Sequence, residues 1–288
     1  MSMASFQSDG RTPVRRRIQW SSPLTYALAL AVAAVSIVPV VYVIIGGFRS
    51  NGQIAQNPAG LPNPWVFSTY SRVAGSSRFW HMVINSSIVA LGSTLGVVAL
   101  GVCAAFVLSR YQFRGREALY TFFTLGLLFP AAAGILPLYL LLRDLNLDNS
   151  FWGVILPQVA YALPLTIVIL RPFLFAIPGE LEDAATVDGT TKLGFFWRIL
   201  LPLARPALVT VGVLAFVGSW NAFLLPLLIL NDQDLQTLPL GVQAFQSQYS
   251  SDTAAILAFT SLAMLPALLF FTLAERQIVG GLQGAVKG

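Results

Sequence analysis

Charge is scarce in this sequence. Asp, Glu, Lys and Arg make up 10% of its 288 residues and hydrophobic residues 56%, whereas a soluble domain carries about 25% charged residues. So little polar surface cannot cover the chain in water, and lipid must be the solvent for much of it. Cys103 and His81 are the sole cysteine and histidine. One cysteine excludes an intrachain disulfide and a cysteine metal cluster, and one histidine does not build a metal site alone. Both are read as structural residues. The dipeptide Gly-Lys does not occur, so the chain lacks a phosphate-cradling P-loop. HExxH, GxSxG and CxxC are also missing, which leaves enzymatic readings without residues to stand on. The chain is expected not to be an enzyme and to hold no metal or cofactor. Its net charge of +5 would suit phosphate contacts in a nucleic-acid binder. In a chain this apolar, basic residues instead set orientation in a bilayer, and no nucleic-acid partner is expected.

What is present is long apolar runs. A hydrocarbon core about 30 Å thick needs about 20 apolar residues in a helix. Six runs meet that need, at approximately 24–46, 82–108, 118–141, 151–170, 206–230 and 253–274, and none contains Asp, Glu, Lys or Arg. Each is too long for a barrel strand, and a helix satisfies its own backbone hydrogen bonds in lipid. The expected fold is an all-α polytopic membrane protein with six transmembrane helices. The first run follows Arg15, Arg16 and Arg17, as a signal peptide would. It is too long for a signal h-region and no clear A-x-A site follows, so it reads as a retained span. Pro39, Pro130, Pro137, Pro157, Pro164, Pro226 and Pro266 fall within the runs. Each removes a backbone donor and kinks a helix, either as ordinary bundle geometry or to help open and close a pathway.

Six spans put both termini on one side. Arg49, Arg72, Arg78 and Arg143 then share one face, and every other Lys and Arg lies on the opposite one. This bias places both termini, and the loop 171–205, in the cytoplasm. Residues 1–20 read as a basic cytoplasmic segment, 21–275 as the membrane domain and 276–288 as a cytoplasmic tail. Trp20, Trp80, Trp152 and Trp197 fall near span ends, as an aromatic belt would.

One cytoplasmic segment, about 177–206, is too structured for a linker: IPGELEDAATVDGTTKLGFFWRILLPLARP. Pro178 and Gly179 end the preceding helix. Glu180, Glu182 and Asp183 suit a helix N-terminus, and Ala184 and Ala185 propagate it without bulk. Gly189 can end it in a left-handed conformation, and Thr190 or Thr191 can cap the next helix. That helix is expected to place Leu193, Phe196, Trp197 and Leu200 on one face. Acids on a membrane-lying helix would be repelled by anionic lipid, so protein docking is the better reading, with Ala184 and Ala185 permitting close approach.

The same segment resembles the cytoplasmic signature of membrane subunits of bacterial ABC importers. That signature reads E-A-A, three residues, Gly, nine residues, Ile, one residue, Leu-Pro. Here it is Asp183-Ala184-Ala185, Gly189, Ile199 and Leu201-Pro202, with every spacing kept and Asp183 in place of Glu. LEDAATVDGT and the tail GGLQGAVKG are similar to the shorter permease subunit of maltose-type carbohydrate importers. The resemblance implies a type I importer membrane domain paired with a sister permease. It also implies two cytoplasmic ATPase subunits that bind ATP and Mg, and an extracytoplasmic binding protein, expected to be a lipoprotein. Glu182, Asp183, Ala184, Ala185, Asp188, Gly189, Ile199, Leu201 and Pro202 would be the ATPase-coupling residues, and a tail reaching the ATPases is a further implication.

Uncharged polar groups within the runs are candidates for touching solute: Asn85, Gln158, Tyr161, Ser219, Trp220, Asn221 and Thr260. Aromatic stacking and amide hydrogen bonds suit sugars, although the same groups also serve interhelical hydrogen bonding. Gln158, Tyr161 and Asn221 sit one to two turns inside their runs and are the expected substrate-path residues. An ion-coupled carrier or channel is the alternative from another class. Carriers keep ionisable groups within their spans and often contain related halves. These runs show neither.

Overall fold

The computed structural model describes residues 23–246 and 251–286, with side chains described through Thr272. The basic segment 1–20 and the last two residues of the expected tail lie outside the described residues. The chain forms two units, the first ending at Tyr42 and the second beginning at Val43. In the first, the described residues belong to α1 (Pro23–Gly46), an apolar helix with Pro39 inside it.

The remaining helices belong to the second unit. Two short ones, α2 (Asn51–Gln56) and α3 (Ser68–Ala74), precede the long α4 (Ser77–Arg110). Next come α5 (Arg116–Leu125), α6 (Ile135–Asp144) and α7 (Phe151–Phe175). The short α8 (Glu180–Val187) and α9 (Lys192–Phe195) lead to α10 (Leu201–Trp220), α11 (Leu224–Ile229) and α12 (Thr253–Val286). Among the described residues, five helical stretches are long and apolar enough to cross a membrane: α1, α4, α7, the stretch Lys192–Trp220 and Thr253–Thr272.

The sixth apolar run, 118–141, is not one helix. It divides into α5, a 3-10 turn at Gly126–Leu128, an irregular turn and α6. The reason is local: Pro130 biases its predecessor to extended backbone, and Phe129 sits at φ −74° and ψ 118°. The run 206–230 is interrupted as well. Its helix begins earlier, at Leu201, ends at Trp220 and resumes as α11. At the C-terminus, α12 stays helical through Val286, past the point where the tail was expected to begin.

Small residues let the central helices meet. A methyl added at Gly92 would lie 2.9 Å from Ile155, and one at Gly96 would lie 2.7 Å from Val159. Glycines four residues apart on α4 thus admit α7 to close range, the small-xxx-small logic of helix contact in lipid. Three apolar cores follow. One gathers Phe106, Leu170, Leu174 and Leu200 near the C-terminal ends of α4 and α7. Another joins Phe79, Met82, Trp220 and Phe259 at the opposite end. Between them, Val97, Val154, Val159 and Ile229 pack together. Beyond α1, Arg49 is 2% exposed and organises its loop by donating to the carbonyls of Pro58 (2.8 Å), Gln53 (2.6 Å) and Asn57.

Candidate functional site

The segment 177–206 folds as two helices around a glycine. Glu180, Glu182 and Asp183 occupy the first turn of α8, where a carboxylate meets the positive end of the helix. The helix closes with the Thr190 N–H donating to the Ala185 carbonyl (2.8 Å) and the Gly189 N–H to that of Thr186 (3.0 Å). This paired pattern is a Schellman cap and needs a left-handed residue. Gly189 supplies it at φ 77°. Thr191 then caps α9, its hydroxyl accepting from the Gly194 N–H at 3.1 Å.

The second helix departs from the expected register. Residues Phe196–Leu200 form a π-helical turn that joins α9 to α10 without a break. The wider turn rotates the faces. Phe195, Phe196 and Leu200 are buried, while Leu193 and Trp197 are 67% and 62% exposed. The expected anchor of Leu193, Phe196, Trp197 and Leu200 is therefore corrected to Phe195, Phe196 and Leu200. Ala185 is corrected too. It packs within the chain's own core beside Leu174 and Phe195, at 5% exposure, so its small size serves α8–α9 contact. Asp183, Ala184, Asp188 and Gly189 face outward, and Glu182 is half-buried. Ile199 and Leu201 pack against the core, and Pro202 lies exposed in the first turn of α10.

Sequence reasoning missed the clamp that holds this loop. Arg110, the last residue of α4, donates to the Ile177 carbonyl at 2.7 Å and stands 4.0 Å from Glu182. Phe106 packs on Phe196 with ring centres 4.9 Å apart. Lys192 lies 4.8 Å from the ring centre of Tyr111. Burial first, and then the Glu182 charge, push the Tyr111 hydroxyl above its ordinary pKa. A basic residue closing a long apolar helix was the available signal, but its partners lie more than 60 positions away.

A cavity of about 450 Å³ opens where the broken helices meet α4, α7 and α10. Its walls include Ala131 and Ala132 from the turn between α5 and α6, and Ala222 and Phe223 from the break after α10. Gln158 and Tyr161 both line it. The Gln158 carbonyl oxygen accepts from Ser93 (2.8 Å) and Ser219 (2.5 Å). Its amide nitrogen is buried without a partner. Whichever way the amide is set, two hydroxyls satisfy one end and the other end has no hydrogen-bond partner among the described residues. Asn221 is not part of this group. It donates to the Val217 carbonyl at 2.9 Å and lines a separate pocket of about 170 Å³ with Trp220 and Thr260. Asn85 is a strut, bonding the carbonyls of Asp234 (2.7 Å) and Gln236 (3.0 Å). Ser93 was missed, since a lone serine in an apolar helix most often bonds its own backbone.

Residues 97–279 match the family of binding-protein-dependent transport system inner membrane components. The chain belongs to this family. It is 34% identical to the diacetylchitobiose uptake system permease protein NgcG of Streptomyces coelicolor, over 92% of this chain and 88% of that one. The trehalose transport system permease protein SugB of Mycobacterium tuberculosis is 31% identical, over 95% of this chain and 99% of its own length. A bacterial ABC transporter that imports alginate shares the fold with a TM-score of 0.77 at 22% identity, covering 88% of this chain and 95% of that one. The chain is thus a multi-pass membrane protein and a permease subunit of an ABC importer. As a family member its work is transport.

Proposed function

We propose that this subunit conducts a carbohydrate inward across the bacterial cell membrane, beside a sister permease. An extracytoplasmic binding protein, tethered as a lipoprotein, delivers the solute. Two ATPase subunits that carry ATP and Mg drive the cycle, and this chain hydrolyses nothing itself. Relatives named for diacetylchitobiose, trehalose and arabinooligosaccharides support the substrate class. The uncharged lining supports it too, with Gln158 and Tyr161 placed to meet hydroxyls.

One observation carries the reading. The stretch Lys192–Trp220 is continuously helical over 29 residues, through a π turn and Pro206, about 43 Å along the helix at 1.5 Å per residue. It starts at the Gly189 turn, and Gly218 and Ser219 near its far end line the cavity. A push on α8 therefore has a continuous helical route to the solute path. In this scheme both termini are cytoplasmic and α8 sits in a cleft of one ATPase. Glu182, Asp183 and Asp188 meet basic groups there, Ala184 permits close approach, and Gly189, Ile199, Leu201 and Pro202 pass the motion on.

The test is Ala184→Arg, which adds bulk on the outward face of α8 and leaves the inward core alone. The expected result is normal insertion, loss of solute uptake and loss of the ATPase from the purified complex. Equal ATPase recovery with normal substrate-stimulated hydrolysis would contradict the docking role.

A further inference from the structure

A separate pocket of about 310 Å³ lies where α5 begins and α7 ends, lined by Arg116, Tyr120, Arg171, Pro172 and Phe175. Arg116 exposes only 9% of its surface. Among the described residues its guanidinium has one partner, Glu117, whose carboxylate lies 3.3 Å from Nε. That contact lacks hydrogen-bond geometry, and the buried Nε has no acceptor. Arg171 pairs with the same Glu117 carboxylate, donates from Nε to the Leu108 carbonyl at 3.2 Å, and lies 4.0 Å from the Tyr120 ring centre. Two guanidiniums thus share one carboxylate, leaving one positive charge uncompensated among apolar walls. A buried charged donor without an acceptor is costly, and an anion in the pocket relieves that cost.

We propose that this pocket holds the phosphodiester headgroup of an anionic phospholipid. Its depth supports this. Arg116 stands just before the apolar run that starts at 118, and Arg171 just after the run that ends at 170. Two independent apolar runs therefore set both guanidiniums at one membrane boundary, level with the lipid phosphates. Basic pockets between spans are a known form of headgroup recognition. The remaining wall suits a lipid better than a free ion. Phe175 is 65% exposed and, with Pro172, offers an apolar surface to the glycerol and first methylenes. A single negative charge matches the pocket's single excess positive charge, so phosphatidylglycerol fits. A zwitterionic phosphatidylcholine brings a cation that the arginines repel.

The experiment is native mass spectrometry of the full chain in its purified transporter complex. The complex is titrated with dioleoyl-phosphatidylglycerol, dioleoyl-phosphatidylcholine and inorganic phosphate. Phosphatidylglycerol should be retained in preference to both others. Arg116→Gln should cut that retention about tenfold, the loss of one charge-assisted hydrogen bond. Phe175→Glu alters an exposed side chain and so spares the fold, yet it sets an anion at the rim and should also lower retention. Glu117→Gln removes the internal competitor and should raise it, an outcome that a purely internal ion-pair brace does not produce. Equal retention of the two lipids, or unchanged phosphatidylglycerol retention in both Arg116→Gln and Phe175→Glu, overturns the proposal. Inorganic phosphate held as firmly as the lipid overturns the lipid assignment.

Discussion

The two ends of the helical stretch Lys192–Trp220 pack into cores, but only the far end also borders a cavity. At its start, Phe195, Phe196, Leu200 and Ala204 are at most 4% exposed and pack against α4, α7 and α8. Near its far end, Gly218 and Ser219 border a cavity of about 450 Å³. The start is gripped, whereas the far end packs Phe216 and Trp220 into a core on one face and fronts open space between interrupted helices on the other. A lever needs both conditions. Tight packing passes displacement without loss, and unfilled volume with breaks on either side gives the displaced part somewhere to go. The largest expected effects therefore lie at the gripped end.

Leu200→Ala should break the comparison most. Leu200 is fully buried in the grip, and truncating such a leucine costs about 2–5 kcal/mol, more where the site cannot collapse. Leu214→Ala, on the cavity wall and already 49% exposed, should change stability by only about 0.5 kcal/mol. Thermal unfolding of the purified complex measures both. Similar shifts for the two variants would mean that the ends do not differ in packing.

Gly189→Val tests the grip through backbone geometry. A β-branched residue at φ 77° is an outlier and should cost about 1–2 kcal/mol. No heavy atom lies within 4 Å of a methyl placed there, so the effect is conformational rather than steric. Uptake should fall sharply while the protein still inserts. Normal uptake in this variant would show that the α8–α9 angle is not what couples.

At the open end, Gln158→Leu should leave stability almost unchanged, because Ser93 and Ser219 can turn to their own helix carbonyls. Interhelical hydrogen bonds in lipid average about 0.6 kcal/mol. Uptake should nevertheless fall about tenfold, the effect of one hydrogen bond to solute, with the ATPase still bound. Unchanged uptake would reduce Gln158 to a packing element.

How much of this could be read from the residues follows from the range of each interaction. Five long apolar helices were legible because lipid imposes length and polarity locally. The left-handed state at Gly189 and the Thr191 cap were legible because capping is decided within a few residues. The register of 193–200 was not, since a helical period cannot foresee a π turn that the packing of Phe195 and Phe196 selects. Pro130 was visible as a kink, yet a full break in the run 118–141 depends on what faces it. Gln158 and Tyr161 were found together because both sit on α7, whereas Asn221 lies between the lining residues Ser219 and Ala222 and borders a different pocket. Arg110 and Arg171 find their partners far along the chain, where spacing carries no information.

The smallest expected effect lies at the far end of the bundle, where Asp252 ties α2 and α3 to the start of α12. Its carboxylate accepts from Asn51 (3.0 Å), from the Ala255 N–H (3.1 Å) and from Arg72 (2.6 Å). Burial pushes its pKa up, but the Ala255, Arg72 and Asn51 bonds together outweigh burial and hold it below the ordinary value. The charged form is thus favoured more in the folded chain than in the unfolded one. Its stabilisation is fully present above the ordinary aspartate range, near about 4, and is lost as pH falls through the lower folded value. Arg72 is 61% exposed, so solvent screens the pair and the effect is modest. Asp252→Asn keeps an oxygen for Asn51 and Ala255 but removes the charge. Its melting temperature should sit slightly below wild type at neutral pH, and the gap should close as the buffer is taken below about pH 4. A gap that stays constant through acid would show that the charge of Asp252 contributes nothing, and that hydrogen bonding alone holds this end together.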